Sequence, residues 1–176
     1  MTEIFYKEEQ RFRNTFMIVV STFLWVFMNL LFAYGFYLQI VLGKPFGDKP
    51  MPDFGLIMVG LFIFIMTTAL FVLFVKSNLV IIVAKEGLYY RYVPFINKFR
   101  KIEAIQILFC ESRVYKPLRD FGGWGIRYNM KTHTSCYNVR GNMGVYLELA
   151  NGKKLLLGSQ NPHELLNAIN QIQGKH

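Results

Sequence analysis

The chain has 176 residues, 53% of them hydrophobic and seventeen of them Phe, with a mean hydropathy of +0.27. Its 20 Lys and Arg outweigh 11 Asp and Glu for a net charge of +9, yet residues 14–43 and 54–75 carry no charge at all. A soluble core rarely needs uncharged runs that long, so the pattern argues against one soluble domain and for two membrane helices followed by a small basic domain.

Residues 1–13 balance Lys7, Arg11 and Arg13 against Glu3, Glu8 and Glu9 and are expected as a neutral cytoplasmic flank. The uncharged run 14–43 is far longer than the roughly 7–15 apolar residues of a signal peptide, so it is expected as a retained transmembrane helix. Asn29, near its centre, is expected to hydrogen-bond to the second helix, and neither run holds the ionisable residue that marks a transport path. Residues 44–53 contain Pro45, Gly47, Pro50 and Pro52, which forbid helix continuation and predict a short extracytoplasmic loop. The second helix, 54–76, includes 22 uncharged residues, or about 33 Å at ~1.5 Å each, close to a hydrocarbon core's thickness. Its Gly55 and Gly60 lie five apart rather than at the close-packing spacing of four.

Lysine and arginine after the second helix (Lys76, Lys85, Arg91, Lys98, Arg100, Lys101) set the orientation, because translocating positive charge is disfavoured. Both termini are expected in the cytoplasm of a cell whose inner membrane the chain crosses twice. From Lys76 onward there are 15 basic and 6 acidic residues, so the protein's whole net charge of +9 belongs to this part. Cys110 and Cys136, in a reducing compartment, read as small hydrophobes in strands rather than as a disulfide.

Residues 79–176 are expected to form the cytoplasmic domain, with a break from helix to strand at Ser77-Asn78. Residues 79–84 and 88–95 are β-prone on either side of Lys85-Glu86-Gly87 and predict a hairpin. Residues 98–103 are expected as a basic segment between strands, residues 105–114 as an alternating strand, and residues 117–125 as an irregular loop. Short strands are predicted at 126–129 and 137–140. Residues 145–158 are the clearest hairpin, with Asn151-Gly152 predicting a type I′ turn. Asn161 as N-cap and Pro162 at the first helical position then open a helix, with Leu165, Leu166, Ile169 and Ile172 on one face.

Three local patterns carry a family likeness: residues 120–127 (Asp-Phe-Gly-Gly-Trp-Gly-Ile-Arg), residues 137–145 (Tyr-Asn-Val-Arg-Gly-Asn-Met-Gly-Val) and residues 158–165 (Gly-Ser-Gln-Asn-Pro-His-Glu-Leu). Together with the two preceding spans, the chain resembles bacterial membrane proteins with a pleckstrin-homology-like (PH-like) domain, whose functions are mostly unassigned. The resemblance implies a membrane α-helical hairpin followed by a small PH-like β-barrel capped by a C-terminal α-helix. It implies no activity, because one fold hosts many functions.

Two groups of residues are candidates for binding. Lys98, Arg100 and Lys101 read either as a lipid- or anion-binding set at the inner leaflet or as ordinary positive-inside charge. Arg119, Trp124 and Arg127 flank Gly122-Gly123 and Gly125, and read either as a partner-binding loop or as a tight bend with the indole packed beneath it. His133 and Cys136 fall short of a zinc site's usual ligands, Cys110 and His163 have no motif spacing to them, and no carboxylate pair is placed for acid–base work. The expectation is a non-catalytic module without cofactor or metal. It is tethered among membrane lipids and binds a protein partner or a second copy, or alternatively senses anionic lipid; an enzyme is the distant alternative. Neither nucleic acid nor a small-molecule substrate is expected, since the basic residues form no helical stripe or aromatic ribonucleoprotein motif.

Overall fold

A computed structural model of the protein describes residues 3–11 and 15–174. It divides into two compact units, one made of residues 13–75 and the other of residues 1–12 together with 76–176.

The first unit is an antiparallel helical hairpin. Helix α1 (Thr15–Phe36) continues as a π-helical turn over Tyr37–Val41, and α2 (Asp53–Lys76) returns. Two stretches, Ile18–Val41 and Asp53–Leu73, are long and apolar enough to cross a membrane. Few polar groups join the helices. The Trp25 indole donates to Thr68 Oγ1 at 2.9 Å, and Asn29 Nδ2 donates to Trp25 O at 2.6 Å and to Thr67 Oγ1 at 3.5 Å, so Asn29 does face the second helix. Near the connecting loop Gln39 Nε2 reaches Asp53 Oδ1 at 2.7 Å. Gly60 allows close approach, because a Cβ there would press on the Phe36 ring and force it to shift.

The second unit contains nine strands in two sheets among the described residues. The first sheet has the order β1–β2–β3–β4, with β1 (Ile4–Arg11), β2 (Asn78–Ala84), β3 (Gly87–Val93) and β4 (Ile96–Ile102) all antiparallel. The expected N-terminal flank is therefore an edge strand, and the domain begins before the helical hairpin rather than after it. Arg11 pairs with Asn78, so the helical hairpin is an insertion between two hydrogen-bonded neighbours. The basic segment expected between strands is β4 itself. The break at Ser77 is where the sequence places it, since α2 ends at Lys76 and β2 starts at Asn78.

The second sheet runs β5 (Ile107–Val114), β8 (Met143–Leu149), β9 (Lys154–Gly158), β7 (Thr134–Asn138), β6 (Gly125–Asn129), with only β7 and β9 parallel. Two sheets, rather than one closed barrel, make up the β structure. The loop expected over residues 117–125 contains a short helix, α3 (Pro117–Phe121). Within the predicted β8–β9 hairpin Gly152 alone takes a left-handed φ, +77°, and its amide donates to Leu149 O. That is a type I turn closed by a left-handed glycine, not type I′, which needs positive φ at two residues.

Strand alternation explains the core. Leu79, Ile81 and Val83, then Leu88, Tyr90 and Tyr92, face inward from the first sheet, and Val145, Leu147, Leu155 and Leu157 meet them from the second. Helix α4 (Pro162–Ile172) adds Leu165, Ala168 and Ile169, and packs on β1, β2, β5 and β8. The alternate residues Cys136, Tyr146 and Leu156 form a smaller apolar cluster on the other face of the second sheet, completed by Tyr115 and the α3 residue Phe121. Each such side chain, fully buried, contributes roughly 1.5–3 kcal/mol.

Candidate anion-binding cleft

The strand register gives the domain two distinguishable ends. One row, Arg11–Asn78–Val93, marks the end from which the chain leaves for α1 and returns from α2. In the next row Gln10 and Tyr92 tie the second sheet to this end: Gln10 Nε2 donates to Gly158 O at 2.6 Å and the Tyr92 hydroxyl to Asn138 O at 3.4 Å. The opposite end is formed by the β2–β3 turn, the β4–β5 connection and the β8–β9 turn.

An open cleft of ≈ 860 Å³ lies between the sheets and extends to that opposite end, lined by Tyr90, Arg100, Lys101, Tyr128, His133, Tyr137, Lys153 and Lys154 among others. Arg100 is level with Tyr90 and therefore with Ile81, and Ile102 with Leu88 and Val83. At ~3.3 Å per residue the cleft walls stand about 10–17 Å along the strands from Asn78.

None of the lining residues is a carboxylate. Lys101 and Lys154 have acidic neighbours outside the lining, Glu103 at 3.4 Å and Glu148 at 3.6 Å. Arg100 and Lys153 form no ion pair among the described residues. Arg100 Nη1 instead donates to the Tyr137 hydroxyl at 3.2 Å, and the Tyr90 and Tyr137 rings lie 5.1 Å apart. Burial pushes the Tyr90 pKa up, with the neighbouring Tyr137 adding to it. A hydrogen bond with Tyr90 raises the already high pKa of Arg100, so this cation stays charged at any physiological pH. At the far wall the Tyr128 hydroxyl meets His133 Nδ1 at 3.1 Å, where His133 takes a left-handed φ of 52°. A permanent cation held by tyrosines, with lysines across the gap, suits carboxylate or phosphate groups.

Of the residues marked by the sequence, Arg100 and Lys101 line the cleft and Lys98 does not; it falls where the β3–β4 register shifts. Sequence reasoning misses Lys153 and Lys154, because their hairpin is informative only for its turn. The parallel pairing of β9 with β7 brings them to the cleft, and no local pattern reports it.

Arg119, Trp124 and Arg127 lie at the end where the chain leaves the domain. Trp124 Nε1 donates to Gly141 O at 3.0 Å, Arg127 Nε to Trp124 O at 3.0 Å, and Arg119 pairs with Asp120 at 3.1 Å. The glycine amides have internal acceptors: Gly122 N donates to Leu118 O, Gly123 N to Pro117 O, and Gly125 N to Asn138 Oδ1 at 2.8 Å. Asp120 accepts from Lys116 N, and this hydrogen bond together with the Arg119 guanidinium lowers its pKa. Cys136 is buried beneath α3 and desolvation pushes its thiol up to about 12, while Cys110 is half-buried in β5; the two form no disulfide. Among the described residues no three His, Cys, Asp or Glu side chains converge as metal ligands.

A protein-family model matches residues 1–174, nearly the whole length. The chain belongs to DUF6141, a family of unknown function. The match includes β1 as well as the helical hairpin and both sheets, so the inserted arrangement lies within the family's extent. No curated protein matches the chain, and no solved structure does.

Proposed function

We propose that this protein is a non-catalytic, membrane-tethered binding module. In this reading α1 and α2 cross the inner membrane, the two-sheet domain is a PH-like fold on the cytoplasmic side, and its cleft receives an acidic segment of a membrane or cytoplasmic protein. The observation that carries the reading is a tyrosine-rich cleft with four basic residues and no carboxylate in its lining. Its position supports a protein partner over the tethering bilayer's own headgroups, because it opens at the end remote from the chain's exits. The pairing of Arg11 with Asn78 supports the two-span topology, since it requires both ends of the hairpin on one side. The positive charge after α2 puts that side in the cytoplasm. A four-stranded sheet, a second sheet and a C-terminal helix packed between their edges support the PH-like assignment.

The test uses the full chain in nanodiscs and a fluorescent oligoglutamate peptide as probe. Salt-sensitive binding is expected. Arg100→Gln with Lys153→Gln should weaken it roughly tenfold for each charge-assisted hydrogen bond removed, at about 1.4 kcal/mol each, while Lys116→Gln leaves it unchanged. Binding indifferent to the double substitution would sink the proposal. So would a double variant that loses only its adhesion to anionic vesicles.

A further inference from the structure

The end of the domain opposite the cleft has its own chemistry, and the chain's connectivity says what it meets. Ser77 alone separates the last residue of α2 from the first of β2, so Asn78 lies within about 8 Å of the helix end whatever the angle between them. The Arg11–Asn78–Val93 row therefore stays close to wherever α2 ends.

Around that row four loops converge. The β3–β4 turn follows Val93 and presents Phe95, 63% exposed. The loop around α3 presents Leu118, 68% exposed, and Trp124, and it is fixed to this end through Asn138, which accepts from Gly125 N and from the Tyr92 hydroxyl. Residues 140–142 join it, with Gly141 O accepting from the Trp124 indole and Asn142 O from Tyr115 N. The β9–α4 connection completes the end, since Gly158 O accepts from Gln10. Lys116, Arg119, Arg127 and Arg140 are all exposed here. The acids here are all held in place or set in a helix: Asp120 is paired with Arg119, Glu9 is held by Arg11 and Asn78, Glu8 by Tyr6, Ser159 and Gln160 N, and Glu164 stands in the first turn of α4.

We propose that this end rests on the anionic headgroup layer of the bilayer, with Phe95, Leu118 and Trp124 in the interfacial zone and Lys116, Arg119 and Arg140 against lipid phosphates. Exposed apolar side chains rimmed by cations, here Phe95 and Leu118, are what such an interface selects, and the half-buried Trp124, its indole N–H held by Gly141 O, stands beside them. Docking is unnecessary for attachment and instead fixes orientation: it turns the cleft away from the lipid and toward solvent. The inference rests on α1 and α2 being spans.

The protein's two tryptophans, Trp25 in α1 and Trp124, allow both statements to be checked separately. Full-length Trp124→Phe and Trp25→Phe variants each keep one indole. They are reconstituted into phosphatidylcholine vesicles, or into equal parts phosphatidylcholine and phosphatidylglycerol, with lipids brominated either near the headgroup or near the bilayer centre. The expected result is quenching of Trp25 by brominated lipid, and quenching of Trp124 by shallow bromines only, several-fold stronger in the anionic vesicles. Arg119→Gln with Arg140→Gln should remove that excess. Trp25 quenched with Trp124 unaffected overturns the docking while leaving the spans intact. Trp124 quenching that ignores lipid charge and both arginines overturns the headgroup contact. Trp25 inaccessible to every bromolipid overturns the spans and the inference together.

Discussion

Glu8 shows how one side chain closes the domain. Its carboxylate accepts from the Tyr6 hydroxyl at 2.5 Å, from the buried Ser159 hydroxyl at 2.6 Å and from Gln160 N at 2.8 Å, clasping the first strand to the connection before α4. The expected N-cap, Asn161, makes no capping bond with its side chain; Glu8 instead fixes the residues just before it. Glu8→Ala leaves an amide and one hydroxyl without an acceptor, since Tyr6 and Ser159 can still bond each other at 3.3 Å, a cost of about 1–3 kcal/mol. Thermal denaturation of the full chain in detergent should show a lower Tm, by roughly 2–4 °C per kcal/mol, with Glu8→Gln losing less. Cys136 is a second case. Its thiol is neutral in the fold with a pKa raised to about 12, so its stabilising effect is complete below the unfolded thiol's ~8.5 and is lost as pH rises from there towards 12. Chemical denaturation across that range should show stability falling for the native chain and falling less for Cys136→Ala. A disulfide reagent at pH 8 should modify no more than one thiol before unfolding and two after it.

At the scale of elements, the helical hairpin, β2, β3, β8, β9 and α4 are legible in the sequence because each announces itself by composition or period. The first strand is not. Its inward positions are Tyr6, Glu8 and Gln10, and the last two satisfy themselves by hydrogen bonds to the end of β9 and the connection after it instead of burying apolar surface. A strand whose buried face is polar carries no alternation to read. The cleft is half legible for a related reason: Arg100 and Lys101 stand out as charge, whereas Lys153 and Lys154 depend on a parallel strand pair. Because Arg11 lies opposite Asn78, replacing residues 12–77 with a two-residue Asn-Gly turn should give a soluble, cooperatively melting domain. Residues 79–176 alone lack β1 and leave the β2 edge unpaired, so they should aggregate or fail to show a dispersed amide spectrum. Equal behaviour of the two fragments would show that β1 is dispensable.

For the whole molecule, the two basic regions sit at opposite ends of one domain, and their separation is what would let each serve a different one of the two proposed partners, an acidic segment at one end and lipid phosphates at the other. The two-span topology has a direct readout in cells. A fluorescent protein fused after residue 176 should fold and emit, and alkaline phosphatase inserted at Gly47 should be active, because the proposed topology puts those positions on opposite sides of the membrane. The reverse pattern would place the cleft outside the cell.

The insertion of the helices between β1 and β2 also constrains the order of events during synthesis. The first strand leaves the ribosome before either helix, and β2, its strand partner among the described residues, is made after both. The first sheet therefore has no complete form until translation has passed α2, by which time two long apolar helices have already been presented for insertion. A chain made in this order cannot finish its two-sheet domain before both apolar helices have been made; if those helices are the proposed anchor, completion of the first sheet is timed by its delivery.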